Sequence, residues 1–348
     1  MKWPQWISST KILVLVVSFS IIIGSSYNTY LSCDRFYNAD SETYLHIAKG
    51  DFNDQSLIRK YRIVVPALAA LVSYPISMVY DKIVQDKRTV YDWPLLTGFY
   101  LVNSFLMALS ALVIFLIMQE MGISERASYI GLAAFLTGGR WASYTAGHPV
   151  TDSLTILCIA GMVYGIISQK NRILFASIVI GLISKESFAL FFPLLILFSK
   201  KNNRLTILTG ISFSLLCYFG IKFQIDAISF TSGTASLKEA FDTIESIKLS
   251  IGKLFSIKGM ADLFSVYGFF SLFLITGLLY GSFRKKIKKQ FNLFFLAFTS
   301  IILIHLLLSS ELARMLFLGS ALFVPLLASA AEVHPWFEKI IKGEKAHI

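Results

Sequence analysis

Charged residues are scarce in this 348-residue sequence: Asp, Glu, Lys and Arg make up 15% of it, against about 25% in an ordinary soluble domain. A water-soluble fold of this length needs more polar surface than that, so a soluble globular protein is excluded. Polar low-complexity tracts are missing as well, which excludes a disordered chain. Cysteine is nearly absent. Cys33 follows the first apolar run, Cys158 and Cys217 lie inside later ones, and no CxxC or Cys/His spacing suggests zinc or a disulfide framework. No Rossmann or P-loop glycine signature occurs, so a soluble nucleotide site is not expected. No internal repeat is visible.

Apolar residues dominate instead, at 55% of the chain. Apolar runs occupy about 11–31, 61–80, 94–118, 127–146, 151–168, 172–184, 187–199, 204–222, 263–283, 291–309 and 311–331. Most are long enough to cross a hydrocarbon core, and the expected class is an all-α integral membrane protein. The first run has basic residues ahead of it and no clear cleavage site after Gly24-Ser25-Ser26, so it reads as a signal-anchor.

The formal net charge of +11 tests the topology. If all eleven runs cross with Lys2 and Lys11 inside, the run Arg284-Lys285-Lys286-Ile287-Lys288-Lys289 falls outside, against the positive-inside rule. One run must stay on one side. The segment 61–80 is the best candidate, because Pro66 and Pro75 interrupt it and Tyr and Arg mark it as interfacial or re-entrant. About ten crossings remain, with both termini cytoplasmic and the chain in the cell membrane. The inner pieces 1–11, 119–126, 169–172, 200–204, 284–290 and 332–348 then hold 16 of the 32 Lys and Arg but 5 of the 21 Asp and Glu. The charge therefore reports topology and not a nucleic-acid partner.

The whole chain, 1–348, reads as one polytopic domain. Residues 32–93 form a long first outer loop with juxtamembrane helices, and 225–262 a second outer loop. In the second, Leu237, Phe241, Ile244, Ile247, Ile251 and Leu254 recur at helical spacing, opposite Lys238, Asp242 and Glu245, as in an amphipathic surface helix.

Four polar sets, none of them used to choose the topology, land on the outer side. Asp40 and Tyr44 share a helix face; Asp40 is either a plain N-cap or a general base. His148 and Asp152 mark a helix start, where Asp152 either complements the helix dipole or serves a site. Lys185 and Glu186 lie between two apolar stretches, as a mutual salt bridge or with Lys185 gripping a phosphate. Glu311 and Arg314 are three apart, so they either pair or leave Arg314 to bind phosphate. Arg62 and Arg140 are further outer-edge cations that suit interfacial anchoring or anion contact. Ionisable groups at membrane depth are costly and usually paired or functional, so convergence on one face points to one outward-facing site. A carboxylate base beside several cations suits sugar transfer from a polyprenyl phosphate, whose tail stays in the bilayer while its phosphate reaches the interface. No residue pattern demands a cofactor, and the carboxylates leave room for a divalent metal.

The layout resembles the GT-C family of integral-membrane glycosyltransferases, including the protein mannosyltransferase and aminoarabinose transferase branches. The matching residues are Asp40 and Tyr44 in Asp40-Ser41-Glu42-Thr43-Tyr44, with Ser41 where the family has Glu. Others are Asp152, Gly181 to Glu186 followed by Phe191-Phe192-Pro193, and Glu311-Leu312-Ala313-Arg314 with Pro325. The resemblance spans residues 10–331 through short motifs. It implies a hexosyltransferase-type enzyme on the extracytoplasmic face, with Asp40 as base and the Arg and Lys residues holding the lipid phosphate. The acceptor would be a glycan, lipid or protein. Two other classes fit the helices and edge charges: a transporter or flippase of lipid-linked sugars, and a polysaccharide polymerase or ligase. The transporter predicts broken helices or polar residues deep in several helices. The polymerase or ligase expects key residues in a late outer loop, yet 225–262 has neither Arg nor His.

Overall fold

In hydrocarbon every backbone N–H and C=O must be satisfied within its own segment, which favours helix. Helix is the only regular structure in the computed structural model, which describes residues 9–33, 39–53, 55–56, 59–83, 92–198, 201–229, 245–290, 293–309, 311–335 and 337. The N-terminal half holds α1 (Ser9–Leu31), α2 (Ala39–Ala48), α3 (Val64–Ile83), α4 (Trp93–Glu120), α5 (Glu125–Thr137), α6 (Trp141–Gly147), α7 (Asp152–Ile167) and α8 (Asn171–Ser184). A 3-10 turn over Glu186–Phe191 leads into α9 (Phe192–Phe198) and α10 (Lys201–Ile228). There follow α11 (245–254), α12 (Ile257–Phe264), α13 (Ser271–Gly277), α14 (Gly281–Gln290), α15 (Leu293–Leu308), α16 (Leu312–Leu318) and α17 (Ser320–Val333).

Among the described residues three helices, α1, α4 and the 203–228 part of α10, are long and apolar enough to cross a membrane. The 28 residues of α4 extend about 40 Å at 1.5 Å per residue, against a core of about 30 Å. Three bent pairs raise the number to six if each is one span: 257–264 with 268–277, 281–288 with 293–308, and 312–318 with 320–333. The α3 segment 64–80, α7, α8 and 186–198 are shorter apolar helices, so ten full crossings are not reached by helix length. The runs 127–146, 263–283 and 311–331 look continuous in sequence but are each broken in space. Of the surface helix expected in 225–262, Leu237, Lys238, Phe241, Asp242 and Ile244 lie outside the described residues; Glu245, Ile247, Ile251 and Leu254 belong to α11.

α4 is the hub, packed against α1, α3, α5, α6 and α7. α1 and α10 are peripheral and expose apolar side chains such as Val16, Leu216 and Phe223. The break between α5 and α6 has a packing cause. The backbone of 265–268 presses on Gly138 and Gly139, and a Cβ on Gly139 would lie 1.9 Å from the Ser265 carbonyl oxygen. Gly268 in turn adopts φ +51°, a left-handed conformation that suits glycine. Gly139→Ala is therefore expected to cost about 1–3 kcal/mol, because a backbone and not a flexible side chain must yield. A lowered melting temperature of the detergent-solubilised protein checks this, and an unchanged one contradicts the packing.

Two groups of helix ends emerge. In one, Tyr30 at the end of α1 stacks on Tyr100 with centroids 4.6 Å apart and bonds Thr97 at 2.7 Å, near the start of α4. The start of α7, the end of α8 and the start of α16 join through charged side chains. In the other, Glu332 at the end of α17 accepts the Ser124 backbone N–H at 3.0 Å, after α4, and pairs with Lys286 of α14. The first group joins pieces that the charge count assigned outside, and the second joins pieces assigned inside.

Candidate functional site

The α6–α7 turn is built around buried Asn103 of α4. Its Nδ2 donates to the His148 and Val150 carbonyls at 3.0 and 3.1 Å, while the Ser153 hydroxyl donates to its Oδ1 at 2.5 Å. Every polar group of a buried turn needs a partner, and this amide supplies several of them at once. Asp152 is thereby fixed in the first turn of α7, where its charge also favours the helix dipole.

At the end of α8 the chain turns extended at Lys185, with φ −160° and ψ 122°. Successive side chains on extended backbone point to opposite sides. Lys185 and Glu186 accordingly engage different partners. Lys185 Nζ reaches Asp152 Oδ1 at 3.2 Å. Glu186 faces Arg62, which donates Nε–H to Oε2 at 3.0 Å and a second N–H to Oε1, a bidentate pair. Arg62 also donates to the Tyr44 hydroxyl at 3.0 Å, and the Thr151 hydroxyl lies 3.4 Å from the same oxygen.

Arg314 stands at the centre. It donates Nε–H to Asp152 Oδ2, and its NH1 group reaches Asp40 Oδ2 at 2.8 Å and Glu311 Oε2 at 2.6 Å. Asp40 is held on its other oxygen by Arg59, at 2.7 Å. Four carboxylates (Asp40, Asp152, Glu186, Glu311) thus face four cations (Arg59, Arg62, Lys185, Arg314), contributed by α2, the approach to α3, α7, the α8–α9 connection and the start of α16.

Access separates these carboxylates. The Asp152 side chain is 2% exposed and tied to two cations, whereas Asp40 is 14% and Glu311 43% exposed. Burial works against the charged form of Asp40, but the Arg314 and Arg59 guanidiniums outweigh it and hold its carboxyl below the ordinary value. His148 is buried and stacks edge-on against Tyr144, with centroids 4.4 Å apart. Among the described residues its Nδ1 has no hydrogen-bond partner. Burial, helped by the Arg314 charge, lowers its pKa to about 4, so the ring is neutral at pH 7.

Eight of the nine predicted residues therefore fall in two adjoining bonded clusters, Asp40, Asp152, Lys185, Glu311 and Arg314 in one and Tyr44, Arg62 and Glu186 in the other. The two are joined along the chain at Thr151-Asp152 and Lys185-Glu186, and His148 lies beside them as a neutral ring. Arg140 stays outside, stacked on Trp141 at 5.0 Å as an anchoring cation would be. Two members were not singled out from the sequence. Arg59 opens the run Arg59-Lys60-Tyr61-Arg62, and three cations in four residues between two apolar runs was a legible signal. That run works as a strap: Arg59 binds Asp40, Lys60 and Tyr61 bind Asp226 of α10 at 2.6 and 2.8 Å, and Arg62 binds Glu186. Asn103, an amide inside an apolar helix, was the other. Among the described residues no three His, Cys, Asp or Glu side chains are grouped to hold a metal ion; the carboxylates of Asp40, Asp152 and Glu311 converge on Arg314 instead. Chemically, the network offers one ionised, partly accessible carboxylate flanked by guanidiniums. No protein-family model matches this chain, and comparison with curated proteins and with solved structures finds no match.

Proposed function

We propose that the protein is a glycosyltransferase that moves a sugar from a polyprenyl-phosphate donor to an acceptor hydroxyl, at the end of the helix bundle where Asp40 lies. The observation that carries this reading is Asp40 itself: a partly accessible, ionised carboxylate between Arg59 and Arg314, beside the ends of apolar helices. The acceptor oxygen attacks the anomeric carbon while its proton passes to the Asp40 carboxylate. The bond from that carbon to the phosphate oxygen breaks, and its electron pair leaves with the phosphate. Arg314 and Arg59 then stabilise the added negative charge. The network is neutral before donor binds, so an arriving phosphate exchanges for a carboxylate, and Glu311 is the most exposed partner of Arg314. Asp152, Lys185, Arg62 and Glu186 hold the surrounding frame. On this reading the site faces the extracytoplasmic side of the cell membrane and both termini are cytoplasmic.

The test compares surface glycans and lipid-linked sugars by mass spectrometry in cells with and without the gene. Loss of one glycan substituent with accumulation of its polyprenyl-phosphate donor is expected, reversed by the wild-type chain. Unchanged pools would sink the proposal. A second reading, a transporter or flippase of lipid-linked sugars, is favoured by one observation. The breaks at 138–140 and 265–268 pack against each other, and the adjoining pair 257–264 and 268–277 is bent by 96°. Discontinuous helices line the substrate sites of many transporters. Movement of an intact lipid-linked sugar across proteoliposomes, with no new glycosidic bond, would favour that class.

A further inference from the structure

A cationic surface of one sign lies away from the Asp40 network, on α14. Between Asp262 and Glu311 the sequence has no Asp or Glu, yet 284–289 holds five Lys and Arg. At 100° per residue these divide by role. Phe283 is fully buried against Phe273 and Ala330, with Ile287 packed on the same cluster one turn later. Lys286 turns toward α17 and pairs with Glu332, which also holds the Ser124 backbone. Arg284, Lys285 and Lys288 fall on the remaining arc and are exposed. Among the described residues no carboxylate pairs with these three.

The surroundings say what this stripe faces. Leu278 and Leu279 just before α14, and Leu293 and Leu296 just after it, are all exposed. Exposed leucines on both sides of a cationic arc suit the boundary between hydrocarbon and headgroups, and they do not suit a nucleic acid or an aqueous acidic protein. α14 also meets the apolar α15 at 93°, so if α15 runs along the membrane normal α14 lies in the membrane plane.

We infer that α14 is a binding site for anionic phospholipid headgroups, with Arg284, Lys285 and Lys288 contacting phosphates while Phe283, Ile287 and Lys286 clamp the helix to the protein. Each cation near an anionic surface contributes a factor of about five in affinity. Glu332 then links the lipid-facing helix to the turn after α4. This inference does not depend on the sugar-transfer reading.

The experiment places a fluorophore on a single cysteine at Ser282, in the otherwise cysteine-free full chain, reconstituted in phosphatidylcholine vesicles. Trace nitroxide-labelled phosphatidylglycerol or phosphatidylcholine serves as quencher. Several-fold stronger quenching by the phosphatidylglycerol is expected, falling to about parity in high salt and in the Arg284→Gln/Lys285→Gln/Lys288→Gln variant. Equal quenching by both lipids in the unsubstituted background at low salt overturns the inference. So does a preference that survives the triple substitution. Should the variant fail to fold, the salt titration alone decides, since a preference insensitive to salt contradicts headgroup pairing.

Discussion

Asp40→Asn is expected to lower sugar transfer by about 10²–10⁴-fold, the usual contribution of a positioned general base, while the protein still inserts and melts as a folded species. Asn preserves shape, and it removes the proton acceptor together with the charge that pairs with Arg59 and Arg314. Arg314 keeps Asp152 and Glu311 as partners, so the frame around it survives. The pH profile gives an independent readout. With its carboxyl held below the ordinary value by Arg314 and Arg59 against the cost of burial, Asp40 is ionised throughout the neutral range. Its acid limb should therefore fall below about pH 4. The same sign applies to stability: the contribution of charged Asp40 is complete above its unfolded pKa and is lost as pH falls through the lower folded value. Turnover by purified, reconstituted enzyme with a polyprenyl-phosphate sugar checks both. Near-normal turnover of Asp40→Asn would remove Asp40 from the base role, and an acid limb near pH 6 would transfer that role to another group.

Asp152→Ala is expected to be the most destabilising single change in the network, at about 3–5 kcal/mol, because it leaves buried cations with too little compensation. Among the described residues Lys185 loses its one carboxylate within salt-bridge distance, and Arg314 loses one of three. Coupling to Lys185 separates this mechanism from simple cavity formation. Lys185→Met removes the stranded charge while keeping much of the volume, so Asp152→Ala/Lys185→Met should melt above Asp152→Ala alone. Thermal melts of the wild type, both single variants and the double close the cycle. Additive losses would mean that the pair is not energetically coupled, and the frame role given to Asp152 would fail.

Much of this site was legible because the chain has so little charge. In an apolar chain, each ionisable group near a membrane edge must find a partner or a use. The positions of Asp40, Arg62, Asp152, Lys185, Glu186, Glu311 and Arg314 therefore pointed to one another across more than 270 residues. The pairings were less legible. Sequence adjacency suggested Lys185 with Glu186, whereas extended backbone at Lys185 sends the two apart, to Asp152 and Arg62. Glu311 and Arg314 do pair as their spacing allows, but Arg314 also binds Asp40 and Asp152, which spacing along one helix cannot reveal.

Composition and periodicity alone determined that this is a helical protein rich in apolar segments suited to a membrane, because hydrocarbon admits few other backbones. The same information predicts a separation between basic pieces on one side and polar sets on the other. Only tertiary structure decided where apparently continuous helices break, since the cause of one such break, the 265–268 backbone seated on Gly138 and Gly139, lies more than a hundred residues away. Tertiary structure alone also brought Arg59 to Asp40 and Asn103 beneath the α6–α7 turn. Both are long-range polar contacts, and their energy resides in burial and geometry that no local pattern encodes.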